Sequence, residues 1–182
     1  MKLRFVGPMI FAAVWGASAS AADIKAGDKL QTLSNLHPDS ARREIQTINY
    51  QLPGRIPVCS DVTVKKISKG AMVFVYNDAE YEFVLDKHTK GADVSLQQAA
   101  QAFFGPKCDE AKLKALSKVD QDGIAAGRAQ VGMTRDGVLF AMGRPPFHAN
   151  PSLEVSEWMY WRNRFGRTAV QFDADGKVSN VR

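Results

Sequence analysis

The apolar positions change their period several times along the chain, and each change predicts a change of element. Over residues 47–85 they alternate with polar positions, which predicts strands at 47–52, 60–68, 71–76 and 80–85, with turns at Lys69-Gly70 and Asn77-Asp78. Alternation puts Met72, Phe74 and Tyr76 on one face and Tyr81, Phe83 and Leu85 across the hairpin from them, so this face is the expected core. The spacing then becomes helical. Ser95-x-x-Gln98 has the form of a reciprocal capping box, and Leu96, Ala99, Ala100, Phe103 and Phe104 line one face before Gly105-Pro106 stops the helix. Asp109 caps a second helix that buries Leu113, Leu116 and Val119 and ends near Asp122-Gly123.

In the last third, Thr134 is placed to cap a short helix with Val138, Leu139 and Met142 on one side. Gly143 ends it, and Pro145 and Pro146 forbid its continuation. A polar loop runs to Val155, where alternation returns and predicts a meander of strands at 155–162, 167–173 and 177–181, joined by turns at 163–166 and 174–176. Residues 23–46 have no strong apolar face and read as an amino-terminal extension, partly helical at 40–45. The glycine-rich stretch 123–132 reads as a flexible link, with a domain boundary at 121–127.

The last 50 or so residues carry an ordered set of motifs: Gly132-Met133-Thr134, Val138, Gly143, Pro145, Trp158-x-Tyr160, Val170-x-Phe172-x-x-x-Gly176 and Val178. In these residues the chain resembles the SmpA/OmlA (BamE-like) domain family, whose best-known member is a lipoprotein of the outer-membrane β-barrel assembly machinery. The resemblance implies a two-layer α/β domain with helices on one face of a three-stranded antiparallel meander. The short strands before it resemble, by spacing alone, a small Src-homology-three-like barrel, with an antiparallel sheet packed on the two helices as the alternative. The expected class is therefore α+β: a signal segment (1–22), an extension (23–46), a β-rich domain with two helices (47–122) and a BamE-like domain (123–182).

The first segment has the three parts of an export signal: Lys2 and Arg4, an apolar run of 11 residues from Phe5 to Trp15, and small residues ending in Ala19-Ser20-Ala21. The run is far short of the ~20 residues that span a bilayer, so cleavage after Ala21 or Ala22 is expected. The lipoproteins of the resembled family carry a cysteine at the processing site, whereas this chain has none before Cys59. The mature protein is expected in the periplasm, soluble or at most peripheral to a membrane. Loss of Lys2 and Arg4 lowers the net charge from +5 to +3, and no basic run interleaves with aromatics, so nucleic acid is not an expected partner. Cys59 and Cys108 are an even pair in an exported chain and are expected to form a disulfide, which would stabilise by roughly 4 kcal/mol in the simple loop-entropy picture.

Catalytic and cofactor patterns are not found. There is no Gly-x-Ser-x-Gly elbow, HExxH or phosphate-binding glycine loop, and His37, His88 and His148 each sit in polar loop surroundings. No catalytic, metal or cofactor residues are expected, and Asp173 and Asp175 supply too few ligands for calcium. What remains is a binding surface. Trp158 and Tyr160 share one face of their strand, and Met159 and Trp161 share the other. If Val170 and Phe172 are buried with the first pair, then Met159, Trp161 and Gln171 lie on an open face beside Arg162 and Arg164. Either Trp161 is an exposed anchor, or the amino-terminal part of the chain covers it. Phe147, held by prolines, either plugs the groove between domains or is presented to a partner.

These readings point to an envelope protein that acts by binding a protein partner, as an accessory factor in outer-membrane protein assembly or envelope integrity. The alternatives are a soluble periplasmic binding or inhibitor module for a protein or wall fragment and, third, a hydrolase. A cleft holding His88 or His148 beside a carboxylate would favour the hydrolase.

Overall fold

A computed structural model describes residues 22–182. The export signal expected over residues 1–22 lies outside the described residues except for Ala22. In chain order the elements begin with β1 (Lys29–Thr32), β2 (Glu44–Gln46), β3 (Asp61–Ile67), β4 (Ala71–Tyr76) and β5 (Ala79–Val84). Next come α1 (Lys87–Gly91), α2 (Leu96–Gln101), β6 (Phe104–Gly105), α3 (Glu110–Ala115), α4 (Lys118–Ala126) and α5 (Arg135–Met142). The chain finishes with β7 (Glu157–Trp161), β8 (Arg167–Phe172) and β9 (Val178–Val181).

The first sheet has the order β2-β5-β4-β3-β1-β6 and does not close, since β2 and β6 are its edges. The β4–β5 hairpin follows the expected pattern, with Phe74 opposite Tyr81 and Met72 opposite Phe83. Alternation works because one face meets α2. Met72, Phe74 and Phe83 are fully buried against Leu96, Ala99, Ala100, Phe103 and Phe104. Phe83 meets Phe104 edge-on at 5.4 Å, and Phe74 meets Phe104 at 5.1 Å. The Ser95/Gln98 capping box forms as the sequence predicts.

Three expectations in this half are corrected. Residues 40–45 are not helical: a turn held by Asp39 leads into β2, which runs parallel to β5 and buries Ile45. The strand expected at 47–52 is accordingly not there. Asn49 has φ of 57°, a left-handed conformation that ends strand pairing and that asparagine tolerates. The amino-terminal segment is also more than an extension, because β1 pairs with both β3 and β6 inside the sheet.

The second sheet is the expected antiparallel meander β7-β8-β9, with α5 on its inner face. Trp158, Tyr160, Val170 and Phe172 are buried there with Val138, Ala141 and Met142. Thr134 caps α5 through its hydroxyl, which accepts from the Gly137 amide at 3.0 Å.

The single helix expected after Asp109 is two. Leu116 adopts an extended conformation, and Ser117 caps α4. Nor is the glycine-rich stretch that follows a flexible link. α4 continues through Gly123 to Ala126, and a Cβ at Gly123 would lie 2.2 Å from the Met133 sulfur. Leu113, Leu116, Val119 and Ile124 pack on the second core, so α3 and α4 share a core with the meander.

The halves are joined covalently and by buried amides. Cys59 and Cys108 form the expected disulfide, linking the segment before β3 to the segment before α3. Asn35 Nδ2 donates to the carbonyls of Ile124 (2.8 Å) and Ala141 (3.2 Å), and its Oδ1 accepts from the Val58 amide (2.9 Å). Asn49 Nδ2 donates to the Met142 and Arg144 carbonyls. The last carbonyls of α5, which lack helical partners, are thus satisfied by side chains from the other half.

Candidate functional site

The β7–β8 hairpin separates two kinds of aromatic residue. On the inner face, Trp158 meets Phe172 edge-on at 4.6 Å and donates from Nε1 to the Leu153 carbonyl at 3.2 Å. The Tyr160 hydroxyl donates to the Gly143 carbonyl at 2.9 Å, and burial pushes its pKa well above the ordinary value against a smaller opposing effect of Arg144. On the outer face, Met159, Trp161 and Gln171 are half-buried. Gln171 Nε2 donates to Glu157 at 2.9 Å, and Glu157 also pairs with Arg182 at 2.8 Å.

Trp161 is neither bare nor sealed. The His148 ring lies 5.2 Å from it, and the Arg167 guanidinium sits over it at 5.1 Å. Arg162 and Arg164 are exposed on the turn that follows. Phe147 is half-buried against the first core, with the Arg144 guanidinium 3.7 Å above its ring.

Among the described residues the most exposed aromatic is Phe165, which no periodic pattern in the sequence marks. It is 81% exposed at the hairpin tip, with Arg164 4.6 Å from its ring. Asn163 holds it there: Asn163 Oδ1 accepts from the Phe165 and Gly166 amides, both at 2.8 Å. The available signal was the Arg-Phe-Gly-Arg run of residues 164–167 in a turn, where an apolar residue has no core to enter.

A groove of about 1220 Å³ runs between the halves, from β2 and the turn before it to the β7–β8 hairpin. Here the histidines, read from sequence as scattered loop residues, are brought together. The rings of His88 and His148 stack at 5.1 Å, so His88, His148, Trp161 and Arg167 form a continuous pile across the groove. Burial lowers the His148 pKa, with the neighbouring His88 and Arg167 acting in the same direction and Asp86 opposing. His37 lies apart from the pair. It is buried with Nε2 3.2 Å from the Ala141 carbonyl, and burial lowers its pKa.

Asp86 is the carboxylate beside this pile, the circumstance that bears on a hydrolytic reading. Its oxygens are already engaged. Oδ1 accepts from the His88 and Thr89 amides at 2.7 and 3.2 Å, and Oδ2 accepts from the Thr47 and Thr89 hydroxyls at 2.7 and 2.6 Å. Burial pushes its pKa up, but these hydrogen bonds outweigh it and hold the carboxyl below its ordinary value. Asp86 thus acts as the helix cap of α1, with no hydrogen bond to either imidazole. Among the described residues, no three His, Cys, Asp or Glu side chains are grouped to hold a metal ion.

The carboxy-terminal part is thus a two-layer unit, a capped helix laid on a three-stranded antiparallel meander. Residues 122–182 match the family model described as the outer membrane protein assembly factor BamE domain, so the likeness read from the glycines and the Trp-x-Tyr strand holds for that third of the chain. No curated protein and no solved structure matches the chain. Among the described residues, no helix is long and apolar enough to cross a membrane.

Proposed function

We propose that the protein is an exported, disulfide-bonded envelope factor that acts by binding a protein partner in outer-membrane protein assembly or envelope integrity. The observation that carries this reading is the BamE-domain match over residues 122–182. The binding surface is the outer side of the β7–β8 hairpin: Phe165 at its tip, Arg162 and Arg164 around it, and Met159, Trp161 and Gln171 along its open face. An exposed aromatic ringed by arginines, on a hairpin fixed from beneath by Trp158 and Tyr160, is a pre-ordered anchor of the kind that dominates interface energetics.

The test is cross-linking in the native cells, purification of the mature protein and identification of what accompanies it. Recovery of outer-membrane assembly subunits, lost on Phe165→Ala without loss of folding, is the expected result. Recovery of soluble periplasmic proteins or wall fragments alone would replace the assembly role with that of a periplasmic binding or inhibitor module.

A further inference from the structure

We infer that the groove between the two halves is a second binding site, which takes an extended acidic segment of a partner polypeptide; the inference rests on the reading of the protein as a protein-binding factor. Four cations line the groove: Arg42 before β2, Lys87 on α1, and Arg164 and Arg167 on the β7–β8 hairpin. None of them is in an ion pair among the described residues, whose pairs are made by other side chains. The two acids that share the lining are occupied locally. Asp39 Oδ1 accepts from the Ala41 and Arg42 amides at 2.9 and 3.0 Å, and Glu44 Oε1 accepts from Gln46 Nε2 at 2.8 Å. The four cations outnumber the two carboxylates of the lining, so the groove presents a modest net positive charge to whatever enters it.

The arrangement of the cations selects the class of ligand. They come from three separate elements, so they suit carboxylates spaced along a chain and not one compact anion. The volume of about 1220 Å³ exceeds the roughly 300–1,000 Å³ typical of a small-molecule pocket and leaves room for several residues. Trp161 already carries His148 and Arg167, which leaves Tyr50 as the other ring of the lining and favours charge over stacking as the basis of recognition. Extended acidic polypeptide is the remaining fit.

The stacked imidazoles add a readout. The charged and titratable groups around His88 and His148 are Asp86 and Lys87 at the start of α1, and Arg167 on β8. Burial holds the His148 pKa below its ordinary value, so that ring gains charge only in the acidic range, and an acidic segment then binds more tightly as the pH falls while its own carboxylates stay largely ionised.

The test is fluorescence anisotropy of a labelled decapeptide of alternating Glu and Ser against the full mature chain, with a Gln/Ser peptide as reference. Saturable binding of the acidic peptide is expected, about tenfold or more tighter than the reference and weakened by salt. Arg164→Glu with Arg167→Glu should weaken it about tenfold, and so should Arg42→Glu with Lys87→Glu, a pair in which neither side chain stacks on a ring. Lys66→Glu, exposed on β3 and outside the groove, should leave it unchanged. Circular dichroism and thermal melts check that each variant folds.

Equal weakening by Lys66→Glu would reduce the effect to overall charge and overturn the site. So would binding of a polyuronate or of anionic vesicles with none of the acidic peptide. The two readings fail separately. Recovery of assembly subunits undiminished by Arg42→Glu with Lys87→Glu, neither of which belongs to the hairpin surface, removes the groove and keeps that surface. Peptide binding without recovery of those subunits removes the assembly role and keeps the groove.

Discussion

Asn49 reaches across the molecule to Met142, donating to its carbonyl at 2.7 Å and to the neighbouring Arg144 carbonyl at 2.9 Å. One buried amide thus satisfies the end of α5 from a loop in the other half. Asn49→Ala strands the Arg144 carbonyl, leaves the Met142 carbonyl with only the Gln51 amide at 3.1 Å, and places alanine at a positive φ, so it should cost about 2 to 4 kcal/mol. Asn180→Ala, at an exposed position of β9, should stay within about 0.5 kcal/mol of the parent. Denaturant midpoints compare the two directly, and equal values would remove the amide from the account of how the halves are held.

Gly137 gives a substitution whose sign is opposite to the helical preference. Alanine in an exposed helix interior gains about 1 kcal/mol over glycine. A Cβ at Gly137, however, would lie 2.0 Å from Oδ1 of Asp120, a fully buried carboxylate that also accepts from the Thr134 amide at 2.7 Å and from the Ser117 hydroxyl at 2.7 Å. Gly137→Ala should therefore destabilise by about 2 kcal/mol or more, read as a fall in Tm.

His37 sets a pH dependence of stability. Burial holds its folded pKa below the ordinary 6.5, so in the acidic range the unfolded chain takes up a proton that the folded chain refuses. The contribution is present above pH 6.5 and lost as the pH falls from there toward the folded value. His148, also lowered, acts with the same sign. Urea midpoints at pH about 7.5 and 5.5 should differ, and His37→Gln should shrink the difference. An unchanged slope would place the proton uptake elsewhere.

The two tryptophans of β7 should separate. Trp158→Ala removes a fully buried ring and should cost ~3 to 5 kcal/mol, whereas Trp161→Ala, at a half-buried ring, should cost ~1 to 2 kcal/mol. Guanidinium denaturation measures both, and equal large losses would contradict the division between the two faces of the sheet.

The sequence was legible where a local rule and the tertiary setting agreed. Thr134 and Ser95 cap helices whose apolar faces are buried, and Trp158, Tyr160, Val170 and Phe172 alternate because the meander has one covered face. It was illegible where pairing is distant or short. β2 is three residues long, and its order comes from β5, so Ile45 carries no period of its own. Asn35 and Asn49 look like loop residues in sequence because nothing local shows that helical carbonyls will meet them. The groove gathers Arg42, His88, His148 and Arg167 from four separate places along the chain, and no spacing in the sequence reports that meeting.

The same buried amides impose an order in time. Asn49 is synthesised 93 residues before Met142, so its side chain must stay hydrated while the first sheet assembles and can be desolvated only after α5 exists. Closing the two halves makes long-range contacts at the expense of chain entropy and requires α5 to be in place. A chain lacking α5 and the meander would leave these amides hydrated and the groove unbuilt, because its lining comes from both halves.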